Sequence, residues 1–223
     1  PVAPVESSAG LFWQFSGAPP QASIVNYGHL NAGRAGALFL IGERIENHGT
    51  LGAPEGNIGL FAAQEVLVSS RPDGRALSAT VRLPAGSVDN SGRIIADAGA
   101  IALNARVVNQ GGLVQADSVR DHHGVIELIA SDSITLGDHS VISAHGDGTG
   151  VSDGGEITIK SEGTFTDSAS SRISVAGGAE DGNGGFVEIS APFMSAIESQ
   201  MDGHASAGNS GGRLLMDPQD IVI

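Results

Sequence analysis

By residue type, Asp147, Asp153, Asp167 and Asp181 are the side chains best suited to acid–base chemistry on a sugar. Glycoside cleavage needs two carboxyl groups about 5–9.5 Å apart on one face. All four lie in glycine- or serine-rich stretches, where an aspartate commonly serves its own turn backbone. A polysaccharide lyase would also want Lys or Arg beside its acids, and the chain has 11 basic residues in all. Asp121-His122-His123 offers metal-binding side chains. Adjacent residues of a strand point to opposite faces, however, which favours a solvated turn. The acidic glycine stretch 177–185 is similar to a calcium-binding nonapeptide, but it occurs once and out of phase. His139, His145 and His204 read as surface residues, and no Ser-His-Asp set or phosphate loop stands out. The sequence therefore assigns no catalytic residue, no metal ligand and no cofactor, and it reads as no enzyme. A polysaccharide-degrading lyase or glycoside hydrolase is the rival reading, and its mark would be an Asp/Arg/Lys cluster on one strand face.

The elements that would position these side chains follow from repetition. Gly36-Ala-Leu38-Phe-Leu40 is followed by Asn47-His-Gly49-Thr-Leu51-Gly-Ala53, and the same phrases return as Gly99-Ala-Ile101-Ala-Leu103 and Asn109-Gln-Gly111-Gly-Leu113. Glycine-led strands begin at Gly36, Gly56, Gly99, Gly124, Gly155, Gly185 and Gly212. Residues two and four after each glycine are apolar, the period of a half-buried strand. The gap from Gly56 to Gly99 is about twice that from Gly36 to Gly56, so one coil is expected to have lost its glycine and to pass through Ala79-Thr-Val81-Arg-Leu83. A second strand per coil reads Arg44 to Glu46, Glu65 to Val68, Arg106 to Val108 and Ser133 to Leu136. A third follows Asn-x-Gly corners at Asn26, Asn47, Asn90 and Asn109, because Asn and Gly tolerate sharp backbone bends. Repetition at this period predicts a stacked-repeat body in which no unit buries its own apolar face. The expected fold is all-β: a right-handed parallel β-helix, three strands per coil, roughly nine coils, with a Val/Ile/Leu/Ala core.

Composition agrees with a narrow interior. Hydrophobic residues make up 40% of the chain, aromatics 4%, and 33 of 223 residues are glycine. The net charge of −14 argues against nucleic acid or an anionic membrane surface as partner, since both need clustered Lys and Arg. Cysteine is absent, which fits a reducing cell or an exported chain kept free of disulfides. Lacking an initiator Met and a signal peptide, the sequence reads as a piece of something longer. Residues 1–22, with four prolines, are expected to form an N-terminal extension or partial cap, with Leu11 to Phe15 over the first rung. Residues 23–223 are expected to form the single β-helix. Arg71-Pro-Asp-Gly74 signals a lateral excursion, while His145 to Gly150 and Gly177 to Gly185 read as flexible surface loops.

Gly184-Gly-Phe-Val-Glu-Ile-Ser190 resembles the Gly-Gly-Phe-Val-Glu-Thr-Ser phrase of filamentous-haemagglutinin-like exoproteins, and Leu214-Leu-Met-Asp-Pro-Gln-Asp-Ile-Val-Ile223 resembles their Leu-Leu-x-Asp-Pro-x-x-Ile-x-Ile phrase. The resemblance implies a right-handed β-helix exported by two-partner secretion across a Gram-negative outer membrane. It implies an extracellular or cell-surface location and an outer-membrane transporter as partner of the precursor. The Asn-Pro-Asn-Gly phrase of the family's secretion domain is missing, so the likeness falls on the stretch after it. The expected role is a structural or adhesive segment that binds host or neighbouring-cell surface molecules, with head-to-tail self-association into filaments through Asp220 to Ile223 as a related possibility.

Overall fold

In the computed structural model, the described residues are 2–7, 10–16, 23–70, 77–148, 150–194 and 196–220. They are all-β, and their strands divide among three sheets: an eleven-stranded one, a seven-stranded parallel one and a four-stranded antiparallel one. This overturns the expected right-handed β-helix of three strands per coil and roughly nine coils. The seven-stranded sheet runs from His29–Asn31 to Gln200–Asp202, which sets seven levels rather than nine. In the middle levels the expected first and second strands are one strand, Ala100–Gln110 and Val125–Leu136. Between these two strands the pairing only shifts register, between Ala105 and Val107. Small buried Ala105 and Ala130 let the chain bend there without breaking the ladder.

The doubled interval between Gly56 and Gly99 has a different cause from the one expected. Asn57–Phe61 pairs directly with Ala100–Gln110, so no level is missing. The extra residues form a hairpin, Ala63–Ser70 with Leu77–Pro84, which takes in both Glu65 to Val68 and Ala79 to Leu83. Gly10–Ser16 adds to the hairpin through Ala63–Ser70, and Val2–Ser7 adds to Gly10–Ser16. Leu11 to Phe15 thus pairs with the hairpin and not with the first rung, Ser23–Asn26. The turn expected at Arg71 to Gly74 lies outside the described residues.

The main core lies between the two parallel sheets. Ile58, Ile101, Ile126, Ile157 and Val187 are register partners in succession and all buried. A second row, Leu60, Leu103, Leu128, Ile159 and Ile189, lies beside it. Leu51, Ile94, Val114, Ile142 and Ile173 face them from the seven-stranded sheet. Stacking like on like puts aliphatic groups at van der Waals distance along about 4.8 Å steps. The strand-leading glycines permit that spacing. Ala100 N–H donates to the Gly56 carbonyl and Phe186 N–H to the Gly155 carbonyl. A Cβ on Gly99 or Gly185 would collide with those same oxygens.

A smaller core forms on the outside of the long sheet. Phe61, Ala63 and Val66 are buried together with Phe39, Ile41, Val81 and Ala102 packed on them, and the Phe39 and Phe61 rings lie 5.8 Å apart. Outward positions here are apolar because the hairpin covers them.

Candidate functional site

Three of the four aspartates nominated as acids place their carboxylates on groups of a neighbouring level. Asp153 accepts from Asn183 N–H at 2.7 Å. Asp167 accepts from the N–H groups of Glu198 and Ser199 and from Ser199 Oγ. Asp181 accepts from Asn209 Nδ2, and Asp147 donates its own N–H to Ser152 Oγ. Apart from Asp147, each carboxylate serves the chain about one level on, not its own turn. Asp138 does the same for Ser168 and Ser170, whose hydroxyls hold its carboxyl below the usual range. Such bonds tie neighbouring levels together at their corners.

Asp121, His122 and His123 are exposed in a turn. His139 has a left-handed backbone, φ 62°. His204 Nδ1 lies 2.7 Å from Asp202, and the bonds from His204 hold that carboxyl below its usual range. Among the described residues no three His, Cys, Asp or Glu side chains are grouped as a metal would need. The stretches 145–150 and 177–185, expected as flexible loops, hydrogen-bond in register instead. Gly146 N–H donates to Ala176, Gly178 N–H to Ser152 and Ser152 N–H to Asp181, and Gly146, Gly177, Gly178 and Gly182 are buried. Glycine here is what lets one stretch lie directly on the next.

Two features escaped the sequence. The first is a polar column at the corner leaving the seven-stranded sheet. Asp97 accepts from Asp117 N–H at 3.0 Å and from Gln115 Nε2 at 2.9 Å. Asp117 in turn accepts from Ser143 Oγ at 2.5 Å and His145 N–H at 3.2 Å, with His145 Nε2 3.4 Å away. Asp117 is only 9% exposed, and burial pushes its carboxyl up despite the Ser143 bond. No motif marks these residues; their spacing of about one level is the signal that could have found them.

The second is a groove of about 290 Å³ where the glycine stretches meet the long sheet. Its floor is built from one register position on successive levels: Glu156, Phe186 and Arg213. The Arg213 guanidinium carbon stands 6.0 Å from the Phe186 ring centroid. His123 and Asp153 line the sides. The groove offers a carboxylate, an aromatic ring and a guanidinium in turn along its floor.

No family model matches the sequence, and no curated protein matches it. Among solved structures, the chain has the fold of the HMW1 secretion domain from Haemophilus influenzae, with a TM-score of 0.68 at 22% identity. The match covers 95% of this chain and 65% of that one, so the chain spans about two thirds of the matched structure.

Proposed function

We propose that this chain is a structural and adhesive segment of a two-partner-secreted, filamentous-haemagglutinin-like exoprotein, carried across a Gram-negative outer membrane by a partner pore and displayed outside the cell. The observation that carries this reading is the fold shared with a secretion domain over 95% of the chain. The Gly184 to Ser190 phrase adds support from the sequence. Parallel strands joined by backbone ladders, in a chain without cysteine, suit a protein that folds after export. The non-enzymatic part of this reading is supported by Asp153, Asp167 and Asp181 each accepting hydrogen bonds from an adjacent level. The test is a chimera in which this chain replaces the matching part of the HMW1 secretion domain, assayed for protein in the medium with and without the partner pore. Pore-dependent export is expected, and retention of a folded chimera inside the cell would overturn the reading. Release of reducing or unsaturated sugar ends from acidic glycans would overturn its non-enzymatic part.

A second reading, head-to-tail self-association, is favoured by one observation. The strand Arg213–Asp220 leaves Leu214, Leu215 and Met216 at 48, 46 and 42% exposure. Leu214 and Met216 continue the same two core rows that Leu38 and Leu40 begin. A second copy translated along the axis would keep both rows and the parallel pairing, and such a contact does not close on itself. The edge first assigned this role, Asp220 to Ile223, lies largely outside the described residues. Leu214→Asp with Met216→Asp is expected to abolish concentration-dependent growth of particle mass in light scattering. A single mass at all concentrations for the parent chain would remove this reading.

A further inference from the structure

We infer that the groove over Glu156, Phe186 and Arg213 is a binding site for a neutral glycan strand lying along the stacking direction. This deepens the adhesive part of the function proposed above, and its test in solution is independent of export. The three residues occupy one register position on three consecutive levels, so their backbone positions follow each other at about 4.8 Å intervals, in the order carboxylate, aromatic ring, guanidinium. Glu156 and Arg213 are two steps apart and do not pair with each other. Among the described residues, no ion pair engages Glu156 or Arg213, and the guanidinium carbon stands 6.0 Å from the Phe186 ring centroid. The floor continues to Val125 on the level before, and Gly155 and Gly185 also line the groove.

The ligand class follows from the order of those groups. A carboxylate accepts hydrogen bonds and a guanidinium donates them. A hydroxyl does both, so a polyol meets each end of the row with the same functional group. The ring between them offers an apolar face for the C–H side of a sugar ring. An anionic glycan would meet Glu156 and Asp153 in a chain of net charge −14. A cationic ligand would meet Arg213 at one end of the row. Neutral sugars meet neither conflict.

The experiment is titration of the full chain with cellohexaose, maltohexaose and chitohexaose, followed by calorimetry and by amide shifts around residues 154–156 and 184–186. Saturable binding to at least one of the three is expected. Phe186→Leu, which keeps apolar bulk but removes the ring face, is expected to weaken it roughly three- to tenfold. Phe186→Trp should retain or improve binding, and Glu156→Gln and Arg213→Gln should each weaken it, with circular dichroism verifying that every variant is folded. Absence of saturable binding to all three oligosaccharides overturns the inference. So does binding unaffected by Phe186→Leu in a folded variant, or tighter binding of polygalacturonate or of a lysine-rich peptide at the same place.

Discussion

A buried amide ladder runs through one corner of the molecule. Asn26 Nδ2 donates to Asn47 Oδ1, Asn47 Nδ2 to Asn90 Oδ1, and Asn90 Nδ2 to Gln110 Oε1, at 2.8, 2.8 and 2.7 Å. Each amide is bonded to its neighbour on the adjacent level. Asn47→Ala orphans the Asn90 oxygen and one donor of Asn26, at about 1–3 kcal/mol for each group left buried. Chemical denaturation should register that loss; an unchanged midpoint would mean the ladder contributes nothing. The ladder also shows how far the sequence could be read. Asn26, Asn47 and Asn90 were legible as equivalent, but the fourth member is Gln110, while Asn109 points outward to Asp89. Gly112 rather than Gly111 then makes the close approach to the level before. A one-residue shift reverses inside and outside on a strand, and the motif alone does not fix it. Asp117 gives a pH prediction. Its folded-state carboxyl titrates above the unfolded one because burial disfavours the charge, so its stabilising effect is full at low pH and is lost as pH rises through the raised value. His145 and Asp97 face it. The stability of the parent relative to Asp117→Asn should therefore fall as pH rises from the ordinary carboxylate range through the raised value. A difference that is flat or rises with pH would contradict the burial of this group.

At the scale of elements, the antiparallel sheet is attached to the long sheet through Phe61 and its neighbours. Gly59 is the partner residue that makes this possible, because a Cβ there would collide with the Phe61 and Phe39 rings. Phe61→Ala should cost about 3–5 kcal/mol. The loss should fall on the hairpin, with amides of Ala63–Ser70 and Leu77–Pro84 losing exchange protection while those of Val141–Ser143 keep theirs. Uniform loss across all three sheets would show instead that the sheets unfold as one. The hairpin strands have the same apolar alternation as the levels, so Glu65 to Val68 and Ala79 to Leu83 read as rungs from sequence. Pairing partners decide between the two, and nothing local in those residues names the partner.

Across the whole molecule, cohesion comes from like side chains stacked level on level. Ile126 has Ile101 on one side and Ile157 on the other, all essentially solvent-free. Ile126→Asp buries an unpaired carboxylate between them and should lower stability by several kcal/mol. The melting temperature is the readout, and no shift would place this row outside the core. Strand identity, the aliphatic rows and the glycine ladder were present in the sequence, since period-two burial and close backbone approach each demand a residue type that recurs. The number of levels, the fusion of two strands into one and the hairpin's separate sheet were decided by tertiary pairing. So were the Asp97–Asp117–His145 column and the Glu156–Phe186–Arg213 row. Each joins residues about 20 to 30 positions apart that touch only after stacking. Hydrogen-bond partners across levels are chosen by register, a property of two strands together that no single segment contains.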